Sequence, residues 1–256
     1  MNIRLTILGF LMISLLASAP EIKAQRKKPV AARTAAATRS KEIGQAAVVL
    51  DETLSVLRPT PSLFAEPIQR MRRGREVKIL AVTEADGVKF FKVAAPPRNF
   101  GWVQADSVFG RFRPADEERL ARLVQASSGF EQIELAAFYF TLYPNSQFRP
   151  SILLLFGDLC QEIAVRLSRE ATNRLDRREM AASAAPLHSY YLNYVGLDRY
   201  RKLGIAFRFN TATKTYYYDG GSWRELVNKF GATPEAAEGR KRLDSIRTQT
   251  DSASQQ

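Results

Sequence analysis

This chain has one cysteine, Cys160, and one histidine, His188. A lone cysteine excludes any internal disulfide, so apolar burial has to stabilise the folded parts. Counting also excludes a zinc centre built on several Cys or His ligands. No Gly-rich loop of the kind that cradles phosphates is present. No cofactor is therefore expected. Acidic residues are in deficit: 26 Asp and Glu stand against 38 Lys and Arg, a formal net charge of +12. Long apolar runs are also scarce. The one at Leu5–Ala19 falls short of the roughly 20 residues that a membrane-spanning helix needs.

That run nevertheless has meaning in its setting. A short basic start (Met1–Arg4) precedes it, and Pro20-Glu21-Ile22-Lys23-Ala24 follows, before the polar Gln25-Arg26-Lys27-Lys28. Basic start, apolar middle and a small residue at the cut form the layout of a secretory signal peptide, residues 1–24. The expected location is periplasmic or extracellular; an uncleaved anchor is the alternative. Residues 25–45 carry Arg26, Lys27, Lys28, Arg33, Arg39 and Lys41 against Glu42 alone, with no periodic bulky apolar residue. Such a stretch reads as a disordered basic linker. It serves as a spacer, or as a tether to an anionic surface by attraction that salt screens. Outside the cytoplasm that surface is lipid headgroup or wall polymer, and nucleic acid is not expected.

Residues 46–112 read as short strands separated by turns. Leu54, Val56 and Arg58 alternate, as do Val77, Ile79 and Ala81, then Val88, Phe90 and Lys92, and Trp102-Val103 opens a last strand. Turns fall at Arg58-Pro59-Thr60-Pro61, Arg73-Gly74, Asp86-Gly87 and Ala95-Pro96-Pro97. This spacing predicts a small barrel, with Gly74 and Gly87 at turn positions that need positive φ. The order Leu54-Ser55-Val56-Leu57-Arg58-Pro59-Thr60-Pro61-Ser62, Met71–Leu80, Asp86–Val93 and Gly101-Trp102-Val103-Gln104 resembles a bacterial SH3-like domain, with Val88 where that family carries its first Trp. The resemblance implies a β-barrel that binds wall glycopeptide or an envelope protein. Arg70, Arg72, Arg73 and Arg75 cluster on one loop of it and are candidate anion contacts, against the plainer reading of a solvated turn. Trp102 is a candidate ligand contact, against a role in the core.

From Pro114 the period becomes helical. Leu120, Leu123 and Val124 repeat after an acidic start; Phe130–Tyr143 is apolar over most of its surface; Ser151–Leu167 follows. Tyr143-Pro144-Asn145-Ser146, Phe148 and Phe156-Gly157-Asp158 resemble the tetratricopeptide-type repeats of bacterial envelope proteins, and Trp223–Ile246 is a degenerate echo. Gly157 is expected where a neighbouring helix approaches closely. The expectation is a helical, tetratricopeptide-like domain over 114–247 with a hairpin near 205–219, then a disordered tail at 248–256. Tyr190, Tyr191 and Tyr194 are either a recognition surface or core.

Bacterial SH3-like domains often accompany wall-cutting cysteine peptidases, which need a thiolate and a His. Cys160 lies in the apolar helical run Leu153–Cys160, where a free cysteine behaves as a small hydrophobe. The chain is therefore expected to be non-enzymatic: a multidomain β + α adaptor that binds peptidoglycan or an envelope protein through its barrel. A scaffold acting through the helical domain is the alternative, and a wall hydrolase a weaker one.

Overall fold

The computed structural model describes residues 40–97, 99–175 and 187–254. The expected signal peptide, residues 25–39 of the expected linker and Pro186 lie outside them. Residues 40–45 do not belong to a disordered linker. The Gly44 amide donates to the Ile79 carbonyl (2.8 Å), the Ile79 amide donates to Gln45 (3.0 Å), and Glu42 pairs with Lys89. Backbone bonds to the next strand hold the segment, which a composition-based boundary does not register.

Seven strands follow: β1 (Ala46–Val49), β2 (Val56–Leu57), β3 (Gln69–Arg70), β4 (Glu76–Ala85), β5 (Val88–Ala95), β6 (Asn99–Gln104) and β7 (Val108–Phe109). Five form an antiparallel sheet in the order β6-β5-β4-β1-β7, and β2-β3 is a separate ribbon. The expected barrel is therefore corrected to an open sheet. The ribbon reaches β6 by one bridge only, in which Arg58 and Trp102 exchange backbone bonds of 2.8 and 2.7 Å. Strands of two residues are too short to continue the ladder around a closed circuit. Period-two alternation puts Val77 and Ile79 of β4, Phe91 and Val93 of β5, and Val103 of β6 on one buried face, over Leu57 and Met71. Gly74 and Gly87 adopt the expected positive φ, +79° and +72°.

The helices are α1 (Ala115–Ala126), α2 (Gly129–Leu142), α3 (Arg149–Arg174), α4 (Leu187–Leu192), α5 (Asp198–Arg201), α6 (Gly221–Lys229) and α7 (Pro234–Ser254), with the hairpin β8 (Phe207–Asn210) and β9 (Thr215–Tyr218) between α5 and α6. The hairpin is where it was expected. The tetratricopeptide-like pairing is not confirmed: α2 and α3 have 14 and 26 residues, and α6 and α7 have 9 and 21. Unequal pairs separated by a hairpin do not stack as identical units. The expected tail is corrected as well, because α7 continues to Ser254. Once a packed helix is nucleated, each further residue adds a backbone bond at little cost.

The described residues form one compact unit. Leu50 and Phe109, from the strand half, belong to the core built by α1, α2 and α3. At Gly74 an added β-carbon would lie 2.7 Å from the Phe138 ring of α2, so the turn needs glycine for space as well as for φ. The Tyr143 hydroxyl donates to the Gly110 carbonyl (3.3 Å), and Arg111 donates to the last carbonyls of α2, Leu142 (2.7 Å) and Thr141 (2.8 Å). The tyrosines resolve in favour of core. Tyr191, Tyr194, Tyr200, Tyr216 and Tyr218 are buried, and Tyr191 stacks on Phe209 at 4.5 Å. Burial pushes the Tyr218 hydroxyl up to about 12.

Candidate functional site

The four arginines of the 70–75 segment do not act together. Arg73 is nearly buried and donates to the Leu50 carbonyl (3.0 Å), to Glu134 (3.0 Å) and to Glu131, both on α2. It is therefore corrected from anion contact to a tie between the strand half and α2. Arg75 donates to the Pro96 carbonyl, and exposed Arg70 to the carbonyls of Glu52 (2.6 Å) and Thr53 (2.8 Å). Arg72 is exposed. Arg73→Ala is expected to lower stability by about 1–3 kcal/mol, because two carboxylates and a carbonyl lose their donor. Arg72→Ala should stay within about 0.5 kcal/mol of the parent. Urea midpoints of the two variants check this.

Trp102 is half-buried and lies outside the sheet core. On β6, Gly101 and Val103 face inward, so Phe100 and Trp102 face outward. Gly101 has no room for a side chain, since a β-carbon there would meet the Arg58 carbonyl at 2.7 Å and the Leu57 side chain at 2.8 Å. The register then assembles a surface. Residues directly opposite share a face. Trp102 lies between Arg58, the residue that follows β2, and Lys92 on β5, while Phe100 lies opposite Ala94, itself opposite Lys78 on β4. Phe100 is 60% exposed, and Lys78 and Lys92 are exposed. A register shift in β4 between Ile79 and Ala81 leaves Leu80 exposed beside them.

The connection from β2 to β3 borders this face. Arg58 donates to the Ala65 carbonyl, and Asp86 accepts from the Ser62 hydroxyl (2.7 Å) and the Leu63 amide (2.8 Å). Those two bonds hold the Asp86 carboxyl below its ordinary value. Phe64, next to Ala65, is 87% exposed. Exposed aromatic rings among cations on a rigid sheet provide stacking surface and charge for an extended anionic ligand.

No family model, curated protein or solved structure matches this chain.

Cys160 and His188 do not form a reactive thiol–imidazole pair in the structure. Cys160 is buried in the α3 core, and burial, helped by the Asp219 charge, pushes its thiol well above the ordinary range. The thiol is held in its non-nucleophilic form. His188 is exposed, against Phe209 and the Thr211 hydroxyl. Among the described residues no group of three His, Cys, Asp or Glu could hold a metal ion, and no helix is long and apolar enough to cross a membrane.

Trp102 was legible in the sequence as a candidate contact; Phe100, Lys78, Lys92 and Arg58 were not. The signal was present in the alternation of β5 and β6. Only the pairing register shows that residues on three strands, with Arg58 bridged to the last of them, fall on one face.

Proposed function

We propose that this chain is an exported, non-catalytic binding protein of the bacterial cell envelope, and that its sheet face holds wall glycopeptide. The observation that carries this reading is the pair of exposed Phe100 and half-buried Trp102, on adjacent outward positions of β6 and flanked by Arg58, Lys92 and Lys78. Saccharide rings present apolar faces that stack on aromatic side chains, and wall peptides carry carboxylates that pair with lysine and arginine. The SH3-like order of strand motifs supports the same reading, as does a cysteine held away from nucleophilic chemistry. The basic segment before residue 40 would raise the local concentration at an anionic envelope.

The test is co-sedimentation of the chain from Gln25 onward with purified peptidoglycan across a salt series. The double variant Phe100→Ala, Trp102→Ala should lose at least about tenfold in affinity at every salt concentration. Lys92→Ala should weaken binding only at low salt, where its charge is unscreened. Binding by the double variant equal to the parent's would remove the sheet face as the site. Failure of the parent to bind would favour a protein scaffold instead. Exposed Leu192 and Val195, 43% and 65% accessible in the helical half, are the surface that such a partner would cover.

A further inference from the structure

We infer that a cavity between α3, the β8–β9 hairpin and α7 is a second binding site, for a ligand that joins a carboxylate to an apolar group. The cavity measures 520 Å³, within the range of small-ligand sites. Val165, Tyr217 and Ile246 supply its apolar wall, and Val165 is left 43% exposed there. No Asp or Glu is among the lining residues.

The polar groups around it are biased toward donation. The Gln161 side-chain carbonyl accepts from the Tyr218 amide (3.1 Å), so its NH2 group remains to donate. The Asn210 side-chain carbonyl accepts from the Ala212 (3.0 Å) and Thr213 (3.2 Å) amides in the hairpin turn, which again leaves the NH2 group. Arg169 completes the set; among the described residues its guanidinium has no hydrogen-bond or ion-pair partner. The fold thus uses the acceptor half of both amides and leaves donors and one positive fork over an apolar wall. An anionic oxygen pair answers those donors, and a carboxylate matches the guanidinium fork in two parallel bonds. The site uses elements other than the wall-binding sheet, so it stands or falls separately from the function proposed above.

Two sources share this chemistry: a small apolar acid and the free C-terminus of a peptide. The test is isothermal titration of the full chain with 3-phenylpropionate, with 3-phenylpropanamide, and with the tripeptide Ala-Ala-Phe in free-acid and amidated forms. At least one free acid is expected to saturate the protein, with its amide at least about tenfold weaker. Saturation by the tripeptide alone makes the ligand a chain terminus; saturation by phenylpropionate makes it a small acid. Arg169→Gln should lose at least about tenfold, and Arg169→Lys should retain part of the affinity. Arg169 is exposed, so thermal unfolding should show both variants folded like the parent. Equal binding of acid and amide, an unchanged affinity in Arg169→Gln, or no saturable binding up to about 10 mM would each overturn the assignment.

Discussion

Asp116→Ala is expected to destabilise the chain by about 3–5 kcal/mol. Asp116 is 2% exposed at the start of α1, accepts from the Gly110 amide (3.0 Å) and Arg113 Nε (2.9 Å), and forms an ion pair with Arg119 (3.3 Å). Burial pushes its carboxyl above the ordinary value, against the pull of Arg113, Arg119 and the Gly110 amide. A raised carboxyl binds its proton more tightly folded than unfolded. This group's contribution to stability therefore falls as pH rises from its ordinary value through its folded one. Burying the anion is costly, yet removing it costs more, because two guanidiniums are left behind. Arg113 is packed on Phe91 (5.2 Å) and Phe112 (5.5 Å), and Arg119 lies over Phe109 (4.1 Å). Neither can swing into water without giving up those contacts. Chemical denaturation of the Ala and Asn variants checks the expectation. Asn preserves the shape and one acceptor, so it should lose less than Ala. A change below about 1 kcal/mol in Asp116→Ala would mean that the arginines rearrange freely.

Trp223→Ala should cost a similar amount, about 3–5 kcal/mol. The indole is 1% exposed, contacts Tyr218 edge-on at 5.5 Å, and lies directly on Gly157 of α3. A β-carbon at Gly157 would overlap the indole and come within 2.7 Å of the Ser222 hydroxyl, so α3 and α6 meet at a distance only glycine permits. Gly157→Ala is thus a second route to the same contact, with an expected loss of about 1–3 kcal/mol from overpacking. Among the described residues, Trp223 Nε1 and Ser222 Oγ are buried without hydrogen-bond partners. Trp223→Phe deletes one of these unpaired groups while keeping most of the ring, so it should cost clearly less than Trp223→Ala. Thermal unfolding of the three variants separates the effects. Equal losses in Trp223→Phe and Trp223→Ala would show that the indole nitrogen has a partner that stabilises the fold.

Much of the fold could be read from local pattern. The start of α1, the bulk of α2, the β8–β9 hairpin and the burial of Cys160 follow from periodicity and turn residues, which act between near neighbours. The close approach at Gly157 was also legible, because a glycine in an apolar helix has few other uses. Its partner was not, since Trp223 lies far along the chain. Acidic residues near helix starts, Asp116 on α1 and Glu131 and Glu134 on α2, have a local use in favouring the helix dipole. In the structure Asp116 neutralises two arginines, and the two glutamates capture Arg73. Removing Arg73 from the expected anion site is a consequence of that long-range pairing.

The candidate sites divide along the same line. By itself the sequence determined the strand-rich first half, the helical second half and the hairpin between its helices, that no internal disulfide or multi-His centre can form, and that Trp102 is an aromatic worth attention. Those properties depend on residue type and on spacing within a few positions. The tertiary structure decided whether the strands close into a barrel, which cations flank Phe100 and Trp102, and which donors remain unspent around Arg169. Those depend on register between strands and on contacts between residues tens of positions apart, where a one-residue shift would turn each side chain to the opposite face.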